Sequence, residues 1–484
     1  MAETISTLDA ANLIAGEWRA SGSGEDYERS NPWRPSEIVG TFPSSDAQDA
    51  ALAVDAADAA RGQWARTPAA TRGSVLARAA DLIQGRVEEI AQDMTREMGK
   101  PLREARLEAA RAATIFRFFS GEGWRSLGEV FEQSATGAMV FTRRRPVGVV
   151  GLITPWNFPA AIPAWKLAPA LAYGNAVVLK LAHDAPLTGI HIARVLHEAG
   201  LPAGVLNVLI GSGSAVGEPL VADPRVHAIS FTGSVPVGHR VRERATASGK
   251  RVQLELGGHN PLIVAADARI DAAVTAAYAG AFWSAGQKCT ATRRIFIHET
   301  VYEDFRSRLL ERVAAGRVGD PADPETEVGP VVNRSQFEEV LDGIARGRSE
   351  GGAVLTGGAA APGDGYVIEP TVFEEVADDA FLSCEEVFGP VTSLYRFDEL
   401  EEAIERANSV RFGLSASVFT TSLATAQACV NDLEAGIIHV NSQTAGADVH
   451  VPFGGSKASA HGPHEQGRAA IEFYTEEITV YQDV

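Results

Sequence analysis

The chain has 484 residues, more than one hydrophobic core usually supports, so two or three domains are expected. Apolar residues make up 45% and charged residues 22%, ordinary globular values that exclude a disordered or fibrous chain. Lysine and arginine number 43 against 62 acidic residues, a net charge of −19; a surface of that sign repels phosphate backbones and anionic lipid, which excludes nucleic acid and membrane as main partners.

The opening MAETISTLDAANLIAGEW has neither the basic nor the apolar stretch of a signal peptide. From Asp46 to Arg117 the chain is rich in Ala, Arg and Glu, and TRGSVLARAADLIQGRVEEIAQDMTREMG reads as amphipathic helices closed by glycine. TGAMVFTRRRP has β-like alternation and calls for a strand partner, in this chain or on another subunit. After Pro146 come the short apolar runs VGVVGLI, NAVVLK, VLNVLI and AISFTG, separated by helical segments such as PLTGIHIARVLHEAG. Continuous apolar strands alternating with helices predict a parallel sheet buried on both faces. The most apolar stretch, Ile162 to Leu179, is broken by Lys166, two prolines and a glycine and is no membrane span.

A second strand–helix series follows Glu255, with NPLIVA, IDAAVTAAYAGAFWSAG, RRIFIH, a helix from Tyr302 to Ala315, and the strands PTVF, SLYRF and GIIHVN. Two α/β series predict two lobes with a ligand cleft between them. The last segment, AAIEFYTEEITVYQDV, alternates like a strand. Three cysteines, Cys289, Cys384 and Cys429, are too few and scattered for a disulfide framework or a metal site. They point to a reducing, cytoplasmic setting with no metal.

Cys289 lies in SAGQKCTATRR, where Lys288, Arg293 and Arg294 would favour a thiolate; an arbitrary free cysteine is more often a small buried hydrophobe. Glu255 ends an apolar strand before Gly257 and Gly258, a place for a general base, although a lone glutamate there is also an ordinary strand residue. Asn157, in ITPWNFP after a strand, suits an oxyanion donor or a turn residue. The glycines of GSGSAVG and FTGSVPVG suit phosphate-holding loops, but neither matches the usual dinucleotide fingerprint.

The ordered set ITPWNFP, KLAPALAYGNAVVLK, FTGS, LELGG, GQKC, EEVFGP and PFGGSK resembles the aldehyde dehydrogenase superfamily from Trp18 to Tyr481. The resemblance implies an α/β fold. Its Rossmann-like cofactor domain would take residues 1–123 and 147–257, its α/β catalytic domain 258–455, and its small β oligomerisation flap 124–146 and 456–484. The expected product is a homodimer or homotetramer. It implies that Cys289 attacks the aldehyde, that Asn157 and the Cys289 N–H hold the oxyanion, and that Glu255 activates the water that hydrolyses the thioester. NAD or NADP would be held by Lys180 at the adenosine ribose, Gly233 and Ser234 at the pyrophosphate, and Glu386 and Phe388 at the nicotinamide end. Ile153, Thr154, Trp156, His183 and Gln336 complete that set.

Three departures stand out. His183 replaces a glutamate that many NAD-preferring members carry, so NADP use is expected. His259 stands where lysine is common, and Ala460 with His464 alters the tail motif. Trp165 and Trp283 occupy places where succinate-semialdehyde members carry arginines, and with Phe158 and Phe453 they predict an aromatic-walled tunnel for an apolar aldehyde. QKCTATRR and GPHEQGRAAIEFYT, by contrast, look similar to the α-ketoglutarate-semialdehyde branch, whose substrate is charged. The general-base Glu255 disfavours a coenzyme-A-acylating reaction.

Overall fold

The apolar runs assemble into two separate, mostly parallel sheets in this computed structural model, which describes residues 11–125, 128–132 and 138–483. The first sheet has a parallel centre in the order Leu206–Leu209, Ala176–Lys180, Val149–Ile153, Ala228–Thr232, Arg251–Glu255. Every residue of Val149–Ile153, Ala176–Lys180 and Ala228–Thr232 is buried. With helices on both faces no strand face meets water, so the polar alternation of a half-exposed sheet is missing. Short antiparallel strands, Asn12–Ile14 with Glu17–Arg19 on one side and Ala460–His461 on the other, extend the sheet at its edges.

Counted along the chain, the five parallel strands stand in the order 3-2-1-4-5. The order reverses between Val149–Ile153 and Ala228–Thr232. A crevice opens at the carboxyl ends of strands at such a reversal, because the connecting helices leave to opposite faces. Asn157, Gly233 and Glu255 all stand at those ends.

Four helices, Ala47–Arg66, Ala69–Gly85, Val87–Met98 and Leu102–Ser120, come first. Asp46 caps the first, accepting from the Gln48 and Asp49 amides. The third ends at Gly99 with φ 78°, the left-handed conformation glycine supplies without strain. The fourth packs on the helix Ala161–Ala172 and carries Glu104, Glu108 and Arg111 to the site.

The second sheet runs Ala353–Thr356, Thr371–Glu374, Val391–Phe397, Thr292–His298, Asn260–Val264, Ser415–Phe419, Ile437–Val440, and only its first pair is antiparallel. Each sheet has its own core, one around Trp64, Phe116 and Leu167, the other around Phe282, Phe296 and Phe373. Each such side chain contributes about 1.5–3 kcal/mol by leaving water.

The strands outside both series find partners in their own chain. Thr475–Asp483 pairs antiparallel with Ala138–Pro146 over its whole length, and Val130–Phe131 adds a third strand. Opposite charges face each other across this ribbon, with Arg145 on Glu476 at 3.1 Å. The expected start of the last strand is a helix, Ala470–Tyr474, because Ala470, Ile471, Phe473 and Tyr474 all turn into the core. Of the expected flap, residues 126–127 and 133–137 lie outside the described residues, as do the first ten residues of the chain. No helix among the described residues is long and apolar enough to cross a membrane.

Candidate active site

The strand Val149–Ile153 delivers Thr154, Trp156 and Asn157 to the crevice. Asn157 is buried, and its Nδ2 donates to the Gln287 carbonyl at 3.0 Å, two residues before Cys289. One amide hydrogen of Asn157 is therefore spent on position, and the other has no acceptor among the described residues. The Asn157 carbonyl accepts from the Lys100 ammonium at 2.7 Å, and Lys100 is ion-paired with Glu108 in a fully buried contact. Glu108 in turn accepts from the Ala160 and Ala161 amides at 2.9 and 3.1 Å, the first N–H groups of the next helix. Carboxylate at a helix N-terminus is favourable, and here it closes a clamp around the Asn157 loop. This clamp leaves one signal in the sequence, Glu108 on the buried stripe of Ala105, Ala109 and Ala112.

Cys289 follows the helix Ile270–Phe282 and a tight turn, Trp283–Gly286. Ser284 and Ala285 hold φ values of 56° and 51° in that turn. Such conformations cost of order 1–3 kcal/mol for residues with a Cβ. Glu104 offsets part of this by accepting from the Ser284 amide at 3.1 Å and its hydroxyl at 2.7 Å. The Cys289 carbonyl accepts from Asn260 Nδ2 at 2.8 Å and lies over Gly258, where a Cβ would approach it to 2.5 Å.

The cations beside Cys289 donate their hydrogen bonds to main-chain carbonyls and none to its thiol among the described residues. Lys288 donates to the Ala279 carbonyl, Arg293 to the Gly389 and Gly286 carbonyls, and Arg294 to those of His259, Arg406 and Ala407. Buried donors are drawn to the nearest unsatisfied acceptors, and here those are main-chain carbonyls. Burial, with Glu386 and Glu255 facing it, pushes the Cys289 thiol up to about 12. The expected thiolate-favouring surroundings are thus corrected.

Glu255 is the last residue of its strand, buried, and its Oε2 has no hydrogen-bond partner. Burial pushes its carboxyl well above the ordinary range and Glu465 adds to this, while Lys166 and the Gly455 amide pull it down. Lys166 and Glu465 form a fully buried ion pair, and Lys166 also donates to Ser230 Oγ at 2.7 Å. Neither residue is singled out by the sequence reading. Glu386 packs on Gly257, accepts from the Gly258 amide at 3.3 Å, and is raised by burial to about 7. His259 is buried and neutral: burial and two arginines hold its imidazole well below the usual value.

The remaining positions line a path from the crevice along the first sheet. Gly233 and Ser234 lead into the helix Val235–Ala247, whose first turn has no side-chain cap and keeps N–H groups for an anion. Lys180 ends its strand buried, lowered to about 8 by desolvation, and its ammonium has no hydrogen-bond or ion-pair partner among the described residues. A buried ammonium left without acceptors fits ribose hydroxyls. His183 stacks on Tyr27 with ring centroids 3.9 Å apart, and burial lowers its imidazole. The Trp156 and Phe388 rings meet edge to face at 5.4 Å, and Gln336 Nε2 donates to the Phe388 carbonyl at 3.2 Å. Ile153 and Thr154 are buried at the strand end. These groups fit a dinucleotide.

On the opposite side a cavity of about 890 Å³ leads to Lys288, the neighbour of Cys289. Of the four aromatic residues read as tunnel walls, Phe158 and Trp283 line it. Trp165 and Phe453 instead pack on each other at 5.4 Å, both buried, outside that lining. Arg103 and Arg111 share this lining with Leu107, Ala110, Ala445 and Val449.

Residues 18–480 match the model of the aldehyde dehydrogenase family. The chain is similar to the alpha-ketoglutaric semialdehyde dehydrogenase of Bacillus subtilis, with 43% identity over 97% of both chains. It is also similar to the alpha-ketoglutarate semialdehyde dehydrogenase of Haloferax volcanii, with 45% identity over 98% of this chain and 99% of that one. Among solved structures, betaine aldehyde dehydrogenase from Staphylococcus aureus in complex with NAD+ superposes with a TM-score of 0.95 at 32% identity, covering 98% and 95% of the two chains. With this crevice and these matches, the chain belongs to the aldehyde dehydrogenase family and is an NAD(P)-dependent oxidoreductase.

Proposed function

We propose that Cys289 is the nucleophile, Asn157 the oxyanion donor and Glu255 the general base. The observation that carries this is the meeting, in one buried crevice, of Cys289, the Gln287-bound amide of Asn157 and the Glu255 carboxyl, whose Oε2 has no hydrogen-bond partner among the described residues. The Cys289 thiol gives up its proton to solvent as the sulfur adds to the aldehyde carbon, and the carbonyl oxygen becomes an oxyanion between the Asn157 N–H and the Cys289 amide. NAD(P)+, when bound, supplies the acceptor for the hydride that converts this adduct to a thioester. Glu255 then takes a proton from water, hydroxide attacks the thioester carbon, and the carboxylic acid leaves as the thiol is restored. Lys180, Gly233, Ser234, Glu386 and Phe388 hold the cofactor, with Ile153, Thr154, Trp156, His183 and Gln336 around them. The domain division read from the sequence goes with this: each sheet supplies one wall of the crevice.

For the substrate we favour a short anionic semialdehyde of the α-ketoglutarate-semialdehyde type. Two relatives of 43% and 45% identity carry that name, and Arg103 and Arg111 line the cavity alongside Asp448. The apolar-aldehyde reading retains Phe158 and Trp283 as walls. Assaying 2,5-dioxopentanoate against pentanal separates the two: a higher kcat/KM for pentanal overturns the anionic reading. For the chemistry, Glu255→Gln should release one reduced cofactor per site in a burst and then stall. Steady turnover without a burst assigns the base elsewhere.

The exposed apolar side chains Val130, Phe131, Met139 and Tyr481 on the β ribbon support a homo-oligomer assembled through it. Three free cysteines support a reducing, cytoplasmic location.

A further inference from the structure

The cavity runs along one face of the helix Leu102–Ser120, where Arg103, Leu107, Arg111 and Thr114 recur at helical spacing, and a loop bearing Gln443 and Asp448 faces it. Most of its charges are committed. Lys100 is held by Glu108 and the Asn157 carbonyl, Lys288 by the Ala279 carbonyl, and Glu104 by Ser284. Arg103 lies over the Trp283 ring at 4.6 Å with Glu327 at 3.9 Å, although the nitrogen facing Glu327 makes no hydrogen bond among the described residues.

Arg111 differs. Its one hydrogen-bond contact is a long one, from its terminal nitrogen to Gln466 Oε1 at 3.4 Å, and among the described residues no carboxylate is within ion-pair distance of it. Glu108 and Asp448 act on it only from farther away. Structural arginines in this molecule look otherwise: Arg293 and Arg294 are each wrapped by backbone carbonyls. Gln466 is equally unusual. It is 1% exposed, sits at φ 61° and ψ 172°, and its Nε2 has no partner. That backbone region is nearly reserved for glycine and costs of order 1–3 kcal/mol. A strained residue holding an unspent amide beside an under-used guanidinium is what a preorganised carboxylate site requires.

We propose that Arg111, backed by Gln466, anchors the distal carboxylate of an ω-oxo acid whose aldehyde carbon lies at Cys289. The inference rests on the anionic-semialdehyde reading above and deepens it by naming the group that reads the charge. Asp448 is the standing counter-charge, and it weakens the site enough to release a dicarboxylate product. Recognition here comes from a helix face, not from the Trp165 and Trp283 positions.

The test is the selectivity ratio, kcat/KM for 2,5-dioxopentanoate divided by kcat/KM for pentanal, in the full-length enzyme with saturating cofactor. Arg111→Met should lower this ratio roughly 10- to 100-fold, through KM for the acid, as expected for loss of charged hydrogen bonds. Arg111→Lys should lower it less, since charge is kept and the fork is lost. Asp448→Asn should raise it. The lysine and asparagine variants decide the matter should the methionine variant misfold. A ratio unmoved by all three overturns the anchor while the substrate class stands. A wild-type ratio below one overturns the substrate class itself.

Discussion

Glu386 lies so tightly on Gly257 that a Cβ there would stand 2.0 Å from its Oε2. The backbone of Gly257 is not left-handed, so a Cβ there would only have to displace the flexible end of Glu386. The side chain it admits is the carboxylate proposed for the nicotinamide ribose, held by the Gly258 amide at 3.3 Å. Gly257→Ala should therefore push Glu386 aside and raise KM for the cofactor about tenfold, the cost of one charged hydrogen bond at about 1.5 kcal/mol. Burst amplitude should be retained. A variant with unchanged cofactor KM would show that Glu386 is not a cofactor ligand.

The raised Cys289 thiol makes a pH prediction. A thiol pushed to about 12 is protonated at neutral pH, and its thiolate fraction grows tenfold for each pH unit below that value. Alkylation by iodoacetamide in the cofactor-free enzyme should accordingly rise with unit slope from pH 7 to 10 without a plateau. Glu386 contributes to the rise in pKa, so Glu386→Gln should speed alkylation severalfold at pH 8.5, where that carboxyl is ionised. A plateau below pH 9 in the wild type would refute the assignment.

The parallel sheets are readable in the sequence because strands buried on both faces cannot alternate: VVGLI, AVVLK and AISFT announce themselves. Cys289, Glu255 and Asn157 are readable because each sits in a short linear motif at an element's end. Lys166 and Glu465 are not, because they are 299 residues apart and only folding joins them. Within PAWKLAP, Lys166 looks like any helical lysine, and its burial follows from a helix enclosed on every side. The ribbon likewise joins residues 331 apart, as Arg144 and Thr475 are. No periodicity names so distant a partner.

The buried Lys166–Glu465 pair makes an energetic prediction. Removing one charge from such a pair leaves the other uncompensated, at about 3–5 kcal/mol. Lys166→Met should lower the denaturation midpoint clearly, and Lys166→Met with Glu465→Leu should recover much of it. The single variant also removes the cation that pulls Glu255 down. The acidic limb of thioester hydrolysis, lost as pH falls through the Glu255 pKa, should then move to higher pH. If the double variant is no more stable than the single one, the pair is not the isolated unit described here.

His183 follows Lys180 by three residues, and its ring lies flat on Tyr27, 3.9 Å between centroids and 12° from parallel. Burial is the chief cause lowering its imidazole, with Arg29 and Lys180 adding to it, while Asp184 opposes them. It is thus uncharged near neutral pH and neither repels nor attracts a 2′-phosphate by charge. A glutamate there would accept ribose hydroxyl bonds and repel the phosphate dianion. His183→Glu should shift preference toward NAD by about 1–3 kcal/mol, the value of one charged hydrogen bond. It should also lose the ring stack, worth about 0.5–1.5 kcal/mol of stability, which a modest drop in melting temperature would register. The ratio of kcat/KM for NAD to that for NADP, in both proteins, decides it. A drop in melting temperature with an unmoved ratio would mean that His183 only supports Tyr27 and that the adenosine ribose lies elsewhere.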